Sequence, residues 1–340
     1  WCAITSLFVI YFLVKRLILE KFSIGAAGRW VVISGCDSGF GRLTALRLIK
    51  KGVHLFAGCF TQQGRDALES DAEDCQSAGQ LRTFQLDITS DESVANAFHL
   101  VKKILDANNA QLWGLVNNAG IFSIFGPADW CSIKQYSDAL HVNCLGAVRM
   151  CHRFLPLLKQ AKGRIVTMGS SAGRMHGQFL APYCVSKFAV EAYSDCLRFE
   201  LRQFGVSVHI LEPGAFKTEL LNEEAQNARV DSIWSSLCED TKMEYGETYM
   251  NNFKEAWNSG VTFAASHNLN WVVKHYEHAL FSFWPRLRYY TGWDSKFLFI
   301  PLSVMPTFMQ DLILLVMYKL QPGPSLVPQS VKSADGLLQE

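Results

Sequence analysis

Short apolar runs alternate with longer stretches in which apolar residues recur at helical spacing. The runs Trp30–Ser34, Val53–Gly58, Leu81–Leu86, Leu112–Val116, Arg164–Met168 and Val206–Leu211 read as strands. Between them, Gly39–Lys51, Asp91–Ala107, Ile133–Gln160 and Pro182–Phe204 read as helices. Thr89 with Glu92 predicts a capping box, and Gly52 and Gly205 stand where glycines end helices. The alternation predicts one α/β domain over residues 29–295, a doubly wound parallel sheet with helices on both faces. Such sheets bind ligands beyond the carboxyl ends of their strands.

The pattern changes in four places. From Trp1 to Val14 every residue except Thr5 and Ser6 is apolar, Lys15 and Arg16 interrupt, and Leu17–Leu19 resume. Residues 1–25 are therefore expected to form a membrane anchor, although the unbroken run is shorter than the roughly 18–20 residues of a spanning helix. The chain starts at Trp1 rather than Met, so residues are expected upstream, and snorkelling of Lys15 and Arg16 would also lengthen the span. A signal remnant cleaved near Gly25-Ala26-Ala27-Gly28, or a packed amphipathic helix, are the alternatives. The basic pair on the C-terminal flank favours a cytosol-facing domain.

Residues 215–270 lose the strand–helix alternation and become helical and aromatic-dotted, with Trp234, Tyr245, Tyr249, Phe253, Trp257 and Phe263. They read as a cap that covers a substrate. Residues 296–320 are strongly apolar but broken by Pro301, Pro306 and Asp311, which suits shallow membrane association better than a span. The tail 321–340, with its prolines and serines, is expected to be disordered.

Charge narrows the partners. Lys plus Arg total 32 against 31 Asp plus Glu, which leaves no basic footprint for nucleic acid. The partner is expected to be a hydrophobic small molecule. The 10 cysteines form no CxxC pair, a pattern of reduced, packed thiols rather than a disulfide framework or a metal site.

Candidate chemistry gathers at strand ends. Gly35-Cys-Asp-Ser-Gly39-Phe-Gly41 follows the first strand, where a glycine turn lets the backbone approach a pyrophosphate and aims a helix N-terminus at its charge. Tyr183 and Lys187, four apart, share a helix face. The ammonium is expected to lower the phenol pKa so that the phenol exchanges a proton with an alcohol near neutral pH. Tyr11 and Lys15 show the same spacing inside the apolar N-terminal segment, so the pair gains meaning only from Ser170 13 residues upstream and Asn143 before it. Ser171 is an equally good hydroxyl on composition. Asn117-Asn118-Ala119-Gly120 follows the fourth strand, and Pro213-Gly214 with Thr218 follows the sixth. Asp87, followed by Ile88, reads either as an acceptor for an adenine amino group or as a cap of its own turn.

Taken in order, these residues resemble the short-chain dehydrogenase/reductase family over roughly residues 29–295. The resemblance implies a Rossmann-type fold, Tyr183 as general acid/base, Ser170 rather than Ser171 on the substrate oxygen, and Lys187 on the nicotinamide ribose. It also implies that Asn143 holds a water in the proton relay. The expected cofactor residues are Gly35, Asp37, Ser38, Gly39, Phe40, Gly41, Cys59, Asp87, Ile88, Asn117, Ala119, Gly120, Tyr183, Lys187, Pro213, Gly214 and Thr218. Within the family, Gly292-Trp-Asp294 and Phe299-Ile-Pro-Leu-Ser303 resemble the membrane-bound retinol and 17β-hydroxysteroid dehydrogenase type 6 group. Phe56-Ala-Gly-Cys59 also resembles mitochondrial D-3-hydroxybutyrate dehydrogenase.

NAD is favoured over NADP, because Ser38 and Cys59 occupy the places where a 2′-phosphate wants a cation. Arg65 is the nearby cation that would reverse this. The expected activity is oxidation of a hydroxysteroid or retinol at the endoplasmic reticulum membrane. A hydroxy-acid dehydrogenase of the mitochondrial inner membrane and a non-catalytic nucleotide-binding protein are the alternatives. The outer faces of the helices carrying Asn143 and Tyr183 are apolar, which suits a homodimer.

Overall fold

The computed structural model describes residues 2–73, 78–122, 125–320 and 322–332. In chain order these form α1 (Cys2–Leu17), β1 (Trp30–Ser34), α2 (Gly39–Ile49), β2 (His54–Cys59), α3 (Gln62–Glu73), β3 (Leu81–Gln85), α4 (Asp91–Ala107) and β4 (Leu112–Asn117). There follow α5 (Ile133–Leu140), α6 (Ala147–Ala161), β5 (Arg164–Met168), α7 (Ala181–Leu201), β6 (Ser207–Pro213), α8 (Glu223–Ser236), α9 (Glu239–Tyr245) and α10 (Glu247–Ala264). The last elements are α11 (Asn270–Phe281), β7 (Arg288–Thr291), the single turn α12 (Ile300–Leu302) and α13 (Thr307–Leu320).

The sheet has the order β3-β2-β1-β4-β5-β6-β7, and every pairing is parallel. Successive residues of β1 point to opposite faces. Trp30 and Val32 join a core with Val101 of α4, Phe154 of α6 and Leu197 of α7. Val31 and Ile33 join the other, with Leu48 of α2, Leu68 of α3 and Tyr276 of α11. The central strands β1, β4 and β5 are largely apolar and buried because both of their faces are covered, whereas the edge strand β3 carries Arg82, Thr83 and Gln85. The order reverses between β1 and β4, and a ligand crevice opens beyond their carboxyl ends at such a switch point.

All six expected strands are present. The seventh, β7, was not expected. Its sequence Arg-Tyr-Tyr-Thr is short and opens on a charge, and it joins the sheet because Arg288 finds Glu191, Glu212 and Asp195 as partners. The expected helix from Ile133 to Gln160 is broken by a π-helical turn at His141–Gly146, which carries Asn143. The expected Thr89–Glu92 capping box is not formed: Ser90 is the N-cap of α4 and accepts from Ser93 N, while Thr89 bonds to Asp87. Gly52 and Gly205 do end helices, with φ of +78° and +72°.

Residues 215–270 contain α8, α9 and α10. These pack into a separate aromatic cluster, in which Trp130 and Phe125 meet Val230, Ile233, Tyr249 and Phe253. Leu326 packs on the same cluster, and Asn252 Nδ2 reaches Ser325 O at 3.4 Å. That part of the tail expected to be disordered thus runs along the cap, while 321 and 333–340 lie outside the described residues.

Helix α1 spans 16 residues with Leu7, Ile10, Leu13 and Leu17 exposed, and α13 has no buried residue. Among the described residues no helix is long and apolar enough to cross a membrane. Eight cysteines are free, with Cys196 and Cys238 exposed, and Cys2 and Cys75 have no described side chain. No group of side chains suited to a metal occurs among the described residues.

Candidate active site

The crevice begins where β1 turns into α2. Gly35 has φ +71° and Gly39 φ +56°, backbone conformations that favour glycine. A Cβ at Gly35 would stand 2.7 Å from Ala119 Cα, and one at Gly41 would run into Gly35 O. The turn is therefore packed on β4 as tightly as backbone allows. Its α2 end is open, since Ser38 stands at the N-cap without spending its side chain on the helix. Asn118 braces the turn. Its Nδ2 donates to Ser34 O at 3.1 Å and Gly35 O at 2.8 Å, and its Oδ1 accepts from Tyr276 at 3.0 Å. This cradle fits a pyrophosphate: unspent amide donors at a helix N-terminus and no side chain between them and the ligand.

From here a crevice of about 630 Å³ runs toward β6. Of the expected cofactor residues, Gly35, Asp37, Ser38, Gly39 and Phe40 line its first part. Asp87, Ile88, Ala119, Gly120, Pro213, Gly214 and Thr218 line the rest, with Tyr183 and Lys187. Three do not line it. Gly41 is packed behind the turn. Cys59 is fully buried in the core. Asn117 is the last residue of β4 and points to the α6 side, where its Nδ2 donates to Cys151 Sγ at 3.2 Å. Asn118, one residue on, takes the crevice-side position that sequence order assigned to Asn117.

Beside the glycine turn, Asp37 rather than Cys59 faces the crevice at the end of β2. Its carboxylate accepts from Phe60 N at 2.9 Å, Thr61 N at 2.8 Å and Thr61 Oγ1 at 2.8 Å, tying the glycine turn to the end of β2. Arg65 and Arg42 are turned to carboxylates, Glu69 at 3.7 Å and Asp71 at 2.7 Å. The turn-capping reading of Asp87 is seen: its Oδ1 accepts from Thr89 N and Oγ1, at 2.8 and 2.7 Å, and the residue also lines the crevice.

Ser170 stands two residues past β5, and Tyr183 sits in the first turn of α7, beside Pro182. Both line the crevice, and Ser170 acts to lower the Tyr183 pKa. Ser171 is also at the wall, but it is Ser170 that acts on the phenol. Burial pushes Tyr183 up to about 12, opposed by Ser170. Lys187 Nζ lies 5.7 Å from the Tyr183 ring centre and donates to Met168 O at 2.9 Å. Burial pulls it down to about 8, with Glu191 and Cys144 acting to hold its proton. The expected acidification of Tyr183 by Lys187 is thus outweighed here by desolvation, and the group that favours the phenolate is Ser170.

Asn143 is buried. Its Oδ1 accepts from Ile121 N at 2.8 Å, and its Nδ2 donates to Ile121 O at 3.0 Å and Ser186 Oγ at 2.9 Å. The side chain does not line the crevice and is committed to fixing the loop after β4 against α7. Both amide hydrogens of Asn143 are used in these bonds.

Past β6, Asp294 fixes the Pro213–Thr218 loop by accepting from Ala215 N at 2.7 Å, and it fills the space a Cβ at Gly214 would need. Only a resemblance had pointed to Asp294; the sign was an acid after Gly292-Trp that burial leaves with one task. The remaining wall is apolar: Phe122, Met175, Leu180, Trp257, Val261 and Phe299. Phe122 packs on Tyr183 and reaches Trp257 of the cap, with ring centres 4.9 and 6.0 Å apart.

Residues 29–229 match the short chain dehydrogenase family. The chain is 60% identical over 320 residues to 3beta-hydroxysteroid dehydrogenase dhs-16 of Caenorhabditis elegans, covering 94% of this chain and 82% of that protein. It is 39% identical to retinol dehydrogenase 7 of Rattus norvegicus over 92% of this chain and 96% of the relative. The fold matches that of levodione reductase with a TM-score of 0.63 at 18% identity, over 79% of this chain and 97% of that one.

Proposed function

The chain belongs to the short-chain dehydrogenase family, and on that premise we propose that it oxidises a hydrophobic secondary alcohol, a 3-hydroxysteroid first, with NAD. The observation that carries this reading is the apolar wall beside the Ser170–Tyr183 pair, together with the 60% identity to a 3beta-hydroxysteroid dehydrogenase. Retinol is the second reading, supported by the similarity to retinol dehydrogenase 7. A small hydroxy acid fits less well. The charged lining residues are Asp37, Asp87, Glu219 and Lys187, with His176 beside them, and no arginine stands ready for a carboxylate.

The dinucleotide, when bound, supplies the hydride acceptor. The amides of Ser38, Gly39 and Phe40 at the start of α2 would hold its pyrophosphate, and Asp87 with Ile88 its base. Lys187 would hold the nicotinamide ribose, with Pro213–Thr218 around the ring's amide. Asp37 gives the ribose corner a negative charge, which supports NAD over NADP. The substrate hydroxyl would bond to Ser170 and Tyr183, and Tyr183 takes its proton as the carbonyl forms. Ser170 favours the phenolate against the desolvation that opposes it. Asn143 serves by fixing Ile121 and α7 rather than by touching the reactants.

The exposed apolar residues of α1 and α13, such as Phe12 and Phe308, support docking on the endoplasmic reticulum membrane, from which such substrates would enter past Phe299. The exposed Leu145, Val185 and Phe188 on the outer face of the Asn143 and Tyr183 helices support a homodimer. The test is a detergent assay of NADH formation with 3-hydroxysteroids, all-trans-retinol and D-3-hydroxybutyrate. Preference for the hydroxy acid, or for NADP, would overturn the reading.

A further inference from the structure

Tyr183, Lys187 and Glu191 follow one another at four-residue spacing on α7, on one stripe of the helix. Glu191 is only 4% exposed, and neither proton exchange nor dinucleotide binding explains a carboxyl there. It lies beneath the turn that carries Ser170. A side chain at Gly169 would run into Glu191 Oε1, and one at Gly173 would come within 2.8 Å of its Cγ. The two glycines that flank Ser170 are the room that Glu191 fills. We propose that Glu191 is a positioning residue that braces the Ser170 turn from below and keeps Lys187 in its charged form.

The surroundings give the carboxyl more than a packing role. Arg288 of β7 donates to both Glu191 and Glu212, the latter fully buried on β6, and also pairs with Asp195 at 2.6 Å. Arg174, from the turn after β5, stands 3.6 Å from Glu212, and Arg198 pairs with Asp195 at 3.0 Å. Tyr290 and Cys144 complete the titratable groups facing this cluster and Lys187. Glu191 Oε1 and Glu212 Oε2 have no hydrogen-bond partner as plain acceptors. The two carboxyls approach each other closely enough to bond, so one proton shared between them satisfies both orphaned oxygens.

The sense of the coupling follows. Burial and the neighbouring Glu212 raise the Glu191 pKa, with Arg288 opposing. As pH rises the pair gives up its proton, and a negative charge grows one helical turn from Lys187. Burial has pulled Lys187 down to about 8, and Glu191 is the first of the groups that hold its proton. The acid thus ionises where the lysine would otherwise neutralise, which extends the range over which Lys187 stays cationic.

This inference rests on the proposed role of the Tyr183–Lys187 pair, and its test separates the two. kcat/KM for 3-hydroxysteroid oxidation with NAD is measured from pH 6 to 10 on the full chain in detergent, for wild type, Glu191→Gln and Glu191→Asp. Glutamine mimics the protonated acid, so at pH 6 the variant stays within about twofold of wild type. Its alkaline limb moves about one pH unit lower, making it about tenfold slower at pH 9, and aspartate restores most of the shift. A Glu191→Gln limb that coincides with wild type, or a loss equal at every pH, overturns the proposal. Should that variant not fold, Glu212→Gln decides: it lets Glu191 ionise sooner and leaves the limb in place, whereas a shift to lower pH overturns the proposal. The same limb read in NADH affinity by tryptophan fluorescence needs no alcohol. An inactive wild type would therefore strike the steroid reading, while the Glu191 inference still stands or falls on binding.

Discussion

The ring of Phe122 lies 4.9 Å from that of Tyr183, centre to centre, at an angle of 46°. The proposed acid/base is thereby packed against the stack that continues through Trp257 and Phe125, whose ring centres are 4.2 Å apart, into the cap. The cap and the phenol belong to one aromatic network. Phe122→Ala leaves Tyr183 free to tilt and opens the wall, so kcat is expected to fall about tenfold, equivalent to roughly 1.4 kcal/mol of barrier. Steady-state kinetics beside a circular dichroism melt checks this, since an unchanged kcat would show that the cap does not orient the phenol.

Asp37 puts the only charge at the β2 corner that the glycine turn itself supplies. Asp37→Asn removes that charge while keeping one acceptor for Phe60 N or Thr61 N. The ratio of kcat/KM for NADP over NAD is expected to rise about tenfold, of the order of a surface charge interaction at contact distance. Paired assays with the two dinucleotides read it directly.

Asp294 is buried and its Oδ2 receives Ala215 N at 2.7 Å. Asp294→Ala strands that amide, a cost of about 1–3 kcal/mol, and releases the Pro213–Thr218 loop. NADH is expected to bind about tenfold more weakly by titration calorimetry, with the α/β core still folded. Gly214→Ala drives a methyl into the same carboxylate and is expected to do at least as much harm.

Much of this architecture is written in local pattern. The inner strands are largely apolar because both their faces are covered, and Gly35, Gly39 and Gly205 carry the positive φ that their turns require. What escaped is what depends on direction or on distant partners. Asn117 and Asn118 are adjacent and chemically identical, and only the pleat of β4 decides that the second one faces the crevice. Cys59 ends a strand as a cofactor residue would, yet it points into the core, and Asp37 reaches across from another element. β7 is stabilised by carboxylates on α7 and β6, far away in sequence. The Tyr183–Lys187 spacing is legible, but their ionisation is not, because burial is the largest influence on each.

Acid sensitivity of the fold has a named source. His209 is fully enclosed, bonded to Arg286 O at 2.7 Å and Ser207 Oγ at 2.9 Å, and burial with nearby Arg164 pulls it down to about 3. Because its folded pKa lies below the unfolded value of about 6.5, the unfolded chain takes up the proton first. The stability contributed by neutral His209 is whole above pH 6.5 and is lost progressively as pH falls toward 3. Wild type is expected to lose about 2 kcal/mol at pH 5 relative to pH 7.5 from this group. Urea unfolding of His209→Gln at both pH values should show that much less dependence.

The central claim is that Tyr183, which shares the crevice wall with Ser170 and Lys187, exchanges the substrate proton. Tyr183→Phe keeps the ring against Phe122 and removes only the hydroxyl. Its measured NADH affinity should match wild type, while kcat for 3-hydroxysteroid oxidation falls by roughly 10³-fold. Turnover within a few-fold of wild type, at unchanged NADH affinity, would contradict the account.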